Sequence, residues 1–255
     1  MRRSTPDCSF LARTKRSFVD TLPHDDVVRF GAALERFVTD ERQARLRTVI
    51  GQRLASVTLL MDAPHDPHNG AAVVRSCDAF GLQHLHVVER REGFLSANSV
   101  SRGSERWVDV HAHQRADVAI AQLRDRGHEL VATHPAGELG PEDLASIPRL
   151  ALVLGNERDG IAGELRAACT RAVRIPMRGF AESLNVSVTA AILLHHATTG
   201  RAGDLPQEER DRLYLRALFF TLPRAPELLD GQGLTLPTPP DEGSPAPPPR
   251  RRARR

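Results

Sequence analysis

Three stretches place polar and charged side chains beside glycines, where a chain can hold a ligand against its backbone. They are HNGAAVVRSCDAFG at 68–81, LGNERDGI at 154–161 and IPMRGFAESLNVSVT at 175–189. In the first, Asn69 is predicted to cap a helix, and Arg75 follows six residues later, so both leave the same end of the predicted sheet. A guanidinium there can bind a phosphate or a ribose oxygen, although a surface arginine in a capped helix explains this stretch alone equally simply.

The second stretch is a polar turn between two glycines, directly after the apolar run LALVL. Gly155 and Gly160 let backbone amides approach a ligand closely at the end of a predicted strand. The spacing is not G-x-G-x-x-G, so the dinucleotide fingerprint is absent. A hydrophilic turn between a strand and a helix is the simpler interpretation of this stretch in isolation.

The third stretch, the most specific of the three, leads from an apolar strand through a glycine-containing loop into a helix. Ser183 and Asn185 flank the predicted start of that helix. Free N–H groups and short polar side chains at a helix start can hold a ligand or a ribose.

These stretches belong to a regular alternation of apolar strands and helices. Strands are predicted at 56–62, 84–89, 107–113, 128–134, 150–155 and 171–177, and helices at 25–40, 41–53, 68–81, 115–127, 160–170, 185–200 and 206–220. The alternation predicts an α/β fold with a mostly parallel sheet flanked by helices. We divide the chain into a basic N-terminal arm (1–40), a main domain (41–200), a C-terminal helix (201–222) and a Pro- and Arg-rich tail (223–255) predicted to be disordered.

Positive charge is concentrated at the two ends of the chain. The net charge is +3, but RRRARR at 250–255 carries five arginines, and without it 30 basic residues face 32 acidic ones. The first 16 residues carry five basic groups and one aspartate. Basic ends suit a phosphate-rich partner, because each neutralised phosphate releases counterions. Solvated terminal tails are an equally good interpretation of the charge alone.

Composition argues against several other classes of protein. No apolar run approaches the ~20 residues that span a bilayer, and we expect neither membrane association nor a secretory signal. Three widely spaced cysteines fit a reduced, cytoplasmic setting. His65 and His68 have a metal-like spacing without a Cys or carboxylate partner, so no metal site is predicted. Cys77 is expected to be a core residue rather than a nucleophile.

Together, the three stretches resemble the signature motifs of the SPOUT superfamily, in the branch that methylates ribose 2′-hydroxyls of RNA. Their spacing is closest to the tRNA (guanosine-18-2′-O)-methyltransferases, and SRGSERWV at 101–108 strengthens that match. The resemblance covers roughly residues 41–200. It implies S-adenosyl-L-methionine as cofactor, tRNA as substrate, a C-terminal deep trefoil knot and a homodimer whose paired active sites form at the interface.

The resemblance also implies roles for individual residues. The catalytic set is Asn69, Arg75, Glu157, Ser183 and Asn185, and the cofactor-binding set is Thr133, Leu154, Gly155, Ile175 and Leu184. The family's arginine has been cast as the base. Because a guanidinium in a protein keeps its proton, we expect Arg75 to position a phosphate and stabilise an alkoxide. Arg158 and Glu182 depart from the lysine and glutamine that are usual in the family.

Other functions remain compatible with the sequence. Ribosomal RNA or another tRNA ribose is the nearest alternative target, although 40 residues before the main domain are too few for a full RNA-binding domain. A non-catalytic knotted RNA-binding protein is a second alternative, and the retained catalytic set argues against it. A nucleotide-dependent oxidoreductase is a third, which the missing glycine fingerprint disfavours.

Overall fold

The computed structural model describes residues 18–89, 104–156 and 158–237, and every structural statement below concerns these residues. The strands are β1 (Val57–Asp62), β2 (His84–Val88), β3 (Asp109–His113), β4 (Glu129–Thr133), β5 (Leu150–Leu154) and β6 (Arg171–Val173). The helices are α1 (His24–Glu35), α2 (Asp40–Gly51), α3 (Pro67–Ala79), α4 (Ala116–Asp125), α5 (Gly163–Ala168), α6 (Val186–Thr198), α7 (Gln207–Thr221) and α8 (Ala225–Asp230). Short 3-10 turns occupy Ser104–Arg106 and Pro141–Ser146. None of the helices in these ranges is long and apolar enough to cross a membrane.

The strands form one sheet in the order β3-β2-β1-β5-β4-β6, and every pair of neighbours is parallel. Leu59 of β1 pairs with Leu85 on one side and with Leu152 on the other. All six residues of β1 are buried, as expected when helices cover both faces of a parallel sheet. The predicted α/β fold with a parallel sheet flanked by helices is therefore confirmed.

Alternate residues of the central strands serve two separate cores. Leu59 and Leu152 point to the face covered by α3, α6 and the Pro141–Ser146 turn. Leu60 and Val153 point to the opposite face, where α4 and α5 pack. The helices cover the two faces of the sheet. The carboxyl ends of β4, β5 and β6 are left uncovered at one end of it.

The remaining helices form a smaller apolar cluster beside the sheet. Phe30 and Leu34 of α1 pack with Leu218 of α7, and the cluster extends to α8. A buried Arg216 joins the cluster to the rest of the molecule, since its guanidinium lies 2.8 Å from Asp20 and 3.0 Å from Asp109 at the start of β3. The helix predicted within the N-terminal arm thus packs against the end of the described chain.

The prediction that the chain is disordered from residue 223 onwards is wrong for the beginning of that segment. Helix α8 forms there, and its Ala225 and Leu229 are fully buried in the cluster of α1 and α7. Two apolar side chains four residues apart reach one face of a helix, and that burial outweighs the high proline content around them. Residues 1–17 and 238–255, with most of the terminal basic groups, lie outside the described residues.

Candidate active site

A cavity of about 990 Å³ opens at the carboxyl ends of β4, β5 and β6. Thr133 and Leu154 are the last residues of β4 and β5, and the chain leaving β6 forms another side of the cavity. The first turn of α6 closes it. Parallel α/β sheets bind ligands at this edge, because loops and helix starts converge there.

All five residues predicted to bind the cofactor line this cavity. They are Thr133, Leu154, Gly155, Ile175 and Leu184. They come from three segments distant in sequence, and the sheet brings them together. The Thr133 hydroxyl donates a hydrogen bond to the carbonyl of Val153, 3.0 Å away, which fixes the end of β4 against β5.

The turn after β5 needs glycine at its first position. A Cβ atom on Gly155 would lie 2.4 Å from the carbonyl carbon of Gly160, so the two backbone segments are in direct contact. Asn156 and Gly160 exchange backbone hydrogen bonds of 3.1 and 3.2 Å across the turn. The Asn156 side chain accepts the N–H groups of Arg158 and Asp159, at 2.9 and 2.7 Å. The turn therefore presents its backbone to the cavity in one defined shape.

Two of the predicted catalytic residues are in direct contact. The Nδ2 of Asn185 donates to the Oδ1 of Asn69, 3.0 Å away, joining the starts of α6 and α3. The Oδ1 of Asn185 accepts the backbone N–H of Ser187 at 2.8 Å and thus caps α6. Asn69 does not cap α3 as predicted: Asp66 does, accepting the N–H of His68 at 2.8 Å, and Pro67 begins the helix.

The members of the catalytic set have different positions relative to the cavity. Ser183 and Asn185 line the cavity. Arg75 is exposed on α3, about 120° around the helix from Asn69, and neither of these residues is part of the cavity wall. Glu157 lies outside the described residues. A single protomer therefore assembles the ligand cavity without the predicted arginine.

The cavity also contains functional groups that were not predicted. His134 directly follows β4, Arg166 lies on α5, and both face the cavity together with Asp159. His134 could have been predicted, since it is the last residue of the predicted strand 128–134, at the end of the sheet where ligands bind. No sequence signal distinguishes Arg166, because charged residues are common on the exposed faces of helices.

Other reactive side chains do not form a site in the part of the chain that is described. Burial raises the pKa of the Cys77 thiol to about 12, so it stays protonated in the core, in agreement with its predicted structural role. No group of three His, Cys, Asp or Glu residues in that part is arranged to hold a metal ion.

Comparison with known proteins gives one consistent family. Residues 56–195 match the SpoU rRNA methylase family. A tRNA (guanosine(18)-2′-O)-methyltransferase from Borreliella burgdorferi is 31% identical over 173 residues, which are 67% of this chain and 79% of that protein.

Two solved structures agree with that match. The TrmH/SpoU tRNA modifying enzyme of A. aeolicus has a TM-score of 0.62 at 28% identity, covering 72% of this chain and 98% of that chain. The SpoU methyltransferase AviRb from Streptomyces viridochromogenes, in complex with the cofactor AdoMet, has a TM-score of 0.53 at 28% identity, covering 58% of this chain and 62% of that chain. The family match spans more than half of the chain and contains all three motif stretches, so the predicted resemblance is confirmed and this protein belongs to the SpoU methylase family.

Proposed function

We propose that this protein transfers a methyl group from S-adenosylmethionine to the 2′-hydroxyl of guanosine 18 in tRNA. The observation that carries the proposal is the convergence of Ser183, Asn185 and the five predicted cofactor-binding residues on one cavity. The activity in the name of the Borreliella relative supports the choice of tRNA and of position 18. A tRNA substrate in turn implies a cytoplasmic location.

The residues around the cavity fit the cofactor. Leu154, Ile175 and Leu184 provide apolar surface beside backbone N–H and C=O groups, the combination that a nucleoside needs. The close contact of Gly155 with Gly160 keeps the backbone of that turn at the cavity wall. When bound, S-adenosylmethionine supplies an electrophilic methyl group.

The residues of this chain supply positioning and electrostatics for the ribose. Ser183 and Asn185 bring a hydroxyl and an amide to the cavity wall, where they orient the sugar oxygen. Asn69 orients the Asn185 amide through their hydrogen bond. We assign Arg75 to an RNA phosphate and to the developing alkoxide, and Glu157 to the orientation of Arg75 or of the hydroxyl. The 2′-hydroxyl releases its proton to solvent as its oxygen is methylated.

We infer that the active protein is a homodimer whose sites combine residues of two protomers. The position of Arg75 supports this inference, because within one protomer this side chain is exposed and not part of the cavity wall. In the inferred dimer, Arg75 of one protomer would serve the cavity of the other. Sedimentation of the purified protein should therefore give a dimer, and an active monomer would contradict the inference.

We also infer that the chain from β6 through α6 forms a deep trefoil knot with the segment after β4. Leu139 pairs with β6, donating to Ala172 and accepting from Arg174 at 3.0 Å each, and α6 packs on the Pro141–Ser146 turn. Single-molecule stretching between residues 57 and 198 tests the inference. A tightened knot shortens the final contour length, whereas an unknotted chain extends fully.

Transfer of labelled methyl from S-adenosylmethionine to tRNA transcripts tests the function. One control transcript lacks guanosine at position 18, and a second carries 2′-deoxyguanosine there. We expect label in the intact transcript and in neither control. Label in both controls would move the target to another tRNA ribose or to ribosomal RNA. An absence of label together with an absence of cofactor binding would favour a non-catalytic RNA-binding protein.

A further inference from the structure

We propose that Arg166 and His134 bind the amino-acid carboxylate of S-adenosylmethionine, an inference that rests on the function proposed above. Arg166 lies on α5, His134 directly follows β4, and both line the cavity. The Nη2 of Arg166 is 2.8 Å from the Nε2 of His134. Neither residue belongs to the three stretches that carry the family resemblance.

The group formed by Arg166, His134 and the N–H of Ala136 has one hydrogen-bond acceptor too few. The N–H of Ala136 also points at the imidazole ring, with its nitrogen 3.1 Å from Nδ1 of His134. A neutral imidazole has one lone pair for these two donors, an imidazolium has none, and a guanidinium accepts no hydrogen bond. One donor therefore faces another N–H whatever the tautomer of the ring. An anion beside the pair would supply the missing acceptor.

The cofactor has an anionic group suited to this position. Thr133, assigned to the cofactor above, is the neighbour of His134 in the chain, and both face the same cavity. S-adenosylmethionine is a nucleoside joined to a short flexible amino-acid chain, so its carboxylate extends beyond the nucleoside. Arginine is the side chain that matches the planar geometry of a carboxylate.

Other charged groups in the cavity define the alternatives. Arg174 is a second guanidinium on the wall, whereas Asp159 and Glu182 would repel a carboxylate. Among the described residues, Arg174 has no contact with a histidine ring like the 2.8 Å contact between Arg166 and His134, which defines the proposed site. An RNA phosphate is the competing ligand for Arg166.

Calorimetric titration with two cofactor analogues isolates the carboxylate. S-adenosylhomocysteine carries it, and S-adenosyl-3-thiopropylamine keeps the amine and the nucleoside but lacks the carboxylate. Arg166→Gln should weaken S-adenosylhomocysteine about tenfold and the amine analogue less than about twofold, because one charge-assisted hydrogen bond is lost. Arg166→Lys should restore part of the affinity. Arg178→Gln removes a nearby charge outside the cavity wall and should change neither ligand.

The remaining outcomes would overturn the assignment. Equal weakening of both analogues by Arg166→Gln, or no weakening of either, would contradict it. Selective weakening by Arg174→Gln alone would place the carboxylate there instead. Unchanged cofactor selectivity with reduced tRNA affinity would assign Arg166 to an RNA phosphate. Failure of the unmodified protein to bind S-adenosylhomocysteine would instead contradict the proposed function, so the two failures can be told apart.

Discussion

At the start of α6, the oxygen and the nitrogen of the Asn185 side-chain amide each make a hydrogen bond. Its oxygen caps the helix through Ser187, and its nitrogen donates to the Asn69 side chain on α3. One side chain therefore sets both where α6 begins and how it faces α3. Under the proposed function, stability and catalysis depend on different atoms of this amide, and two substitutions can separate the two effects.

Asn185→Ala removes both contacts, whereas Asn185→Asp keeps a capping oxygen and loses the donor to Asn69. We expect Asn185→Ala to lower the free energy of unfolding by about 1 kcal/mol and Asn185→Asp to change it little. Both should reduce methyl transfer at least about tenfold, because the ribose is no longer oriented. Urea denaturation and the tRNA assay measure the two effects, and full activity of Asn185→Asp would refute the catalytic assignment.

Gly155→Ala tests the turn after β5. Its methyl group would lie 2.4 Å from the Gly160 carbonyl carbon, so the backbone of the turn must move. We expect S-adenosylhomocysteine affinity to fall at least about tenfold in calorimetry. Gly163→Ala is the matched control, because its added methyl group meets nothing within 4 Å and it lies at the start of α5. Equal affinities of the two variants would contradict the importance of this close contact.

The N-cap of α3 shows what local sequence can and cannot predict at the site. Asp66 and Asn69 are both good capping residues, and the prediction named Asn69. Pro67 decides between them, since proline favours the first position of a helix and Asp66 then precedes it. The pairing of Asn69 with Asn185 was not accessible from sequence spacing, because it joins residues 116 positions apart.

At the scale of elements, most strands and helices could be predicted because a doubly covered parallel sheet produces long apolar runs separated by polar helix faces. The prediction failed at α8, where few apolar residues stand among prolines and their burial depends on α1. It also missed the pairing of Leu139 with β6. In both cases the stabilising partner is distant in sequence, so a local sequence pattern cannot predict the contact.

The edge strand β3 and its neighbour β2 carry a row of histidines. The Nδ1 of His86 lies 2.9 Å from the Nε2 of His113, and the rings of His86 and His111 stack with centroids 4.8 Å apart. At one end of the row, the Nε2 of His84 lies 2.9 Å from the Glu209 carboxylate of α7. Burial, and then the neighbouring histidines, lower the pKa of His86 to about 2.

This row makes stability depend on pH in one direction. His86 is neutral in the folded protein where the unfolded chain, with an ordinary histidine pKa of about 6.5, is protonated, so stability is present above pH 6.5 and decreases below it. We expect His86 to lower the free energy of unfolding by up to about 2 kcal/mol between pH 7.5 and pH 5. In urea denaturation at both values, His86→Gln should reduce that difference. The exposed His195→Gln is the control, and an unchanged difference in His86→Gln would contradict the assignment.

For the whole molecule, the exposed Arg75 is the observation behind the proposed division of the active site between two protomers. If each site takes Arg75 from one protomer and Ser183 from the other, two inactive variants can complement each other. Arg75→Ala and Ser183→Ala should each be inactive alone. After mixed refolding or coexpression, a random mixture of dimers should recover about a quarter of the unmodified activity in the tRNA assay. Sites contained within one protomer would leave the mixture inactive.

The packing of α1 against α7 has a consequence for synthesis of the chain on the ribosome. The apolar face of α1, with Phe30 and Leu34, is completed by α7, which begins about 170 residues later in the chain. At typical translation speeds of roughly 5–20 residues per second, that face stays uncovered for about 10–30 s before α7 is synthesised. We therefore expect molecular chaperones to bind this face during most of the translation of the chain, and to release it when α7 emerges.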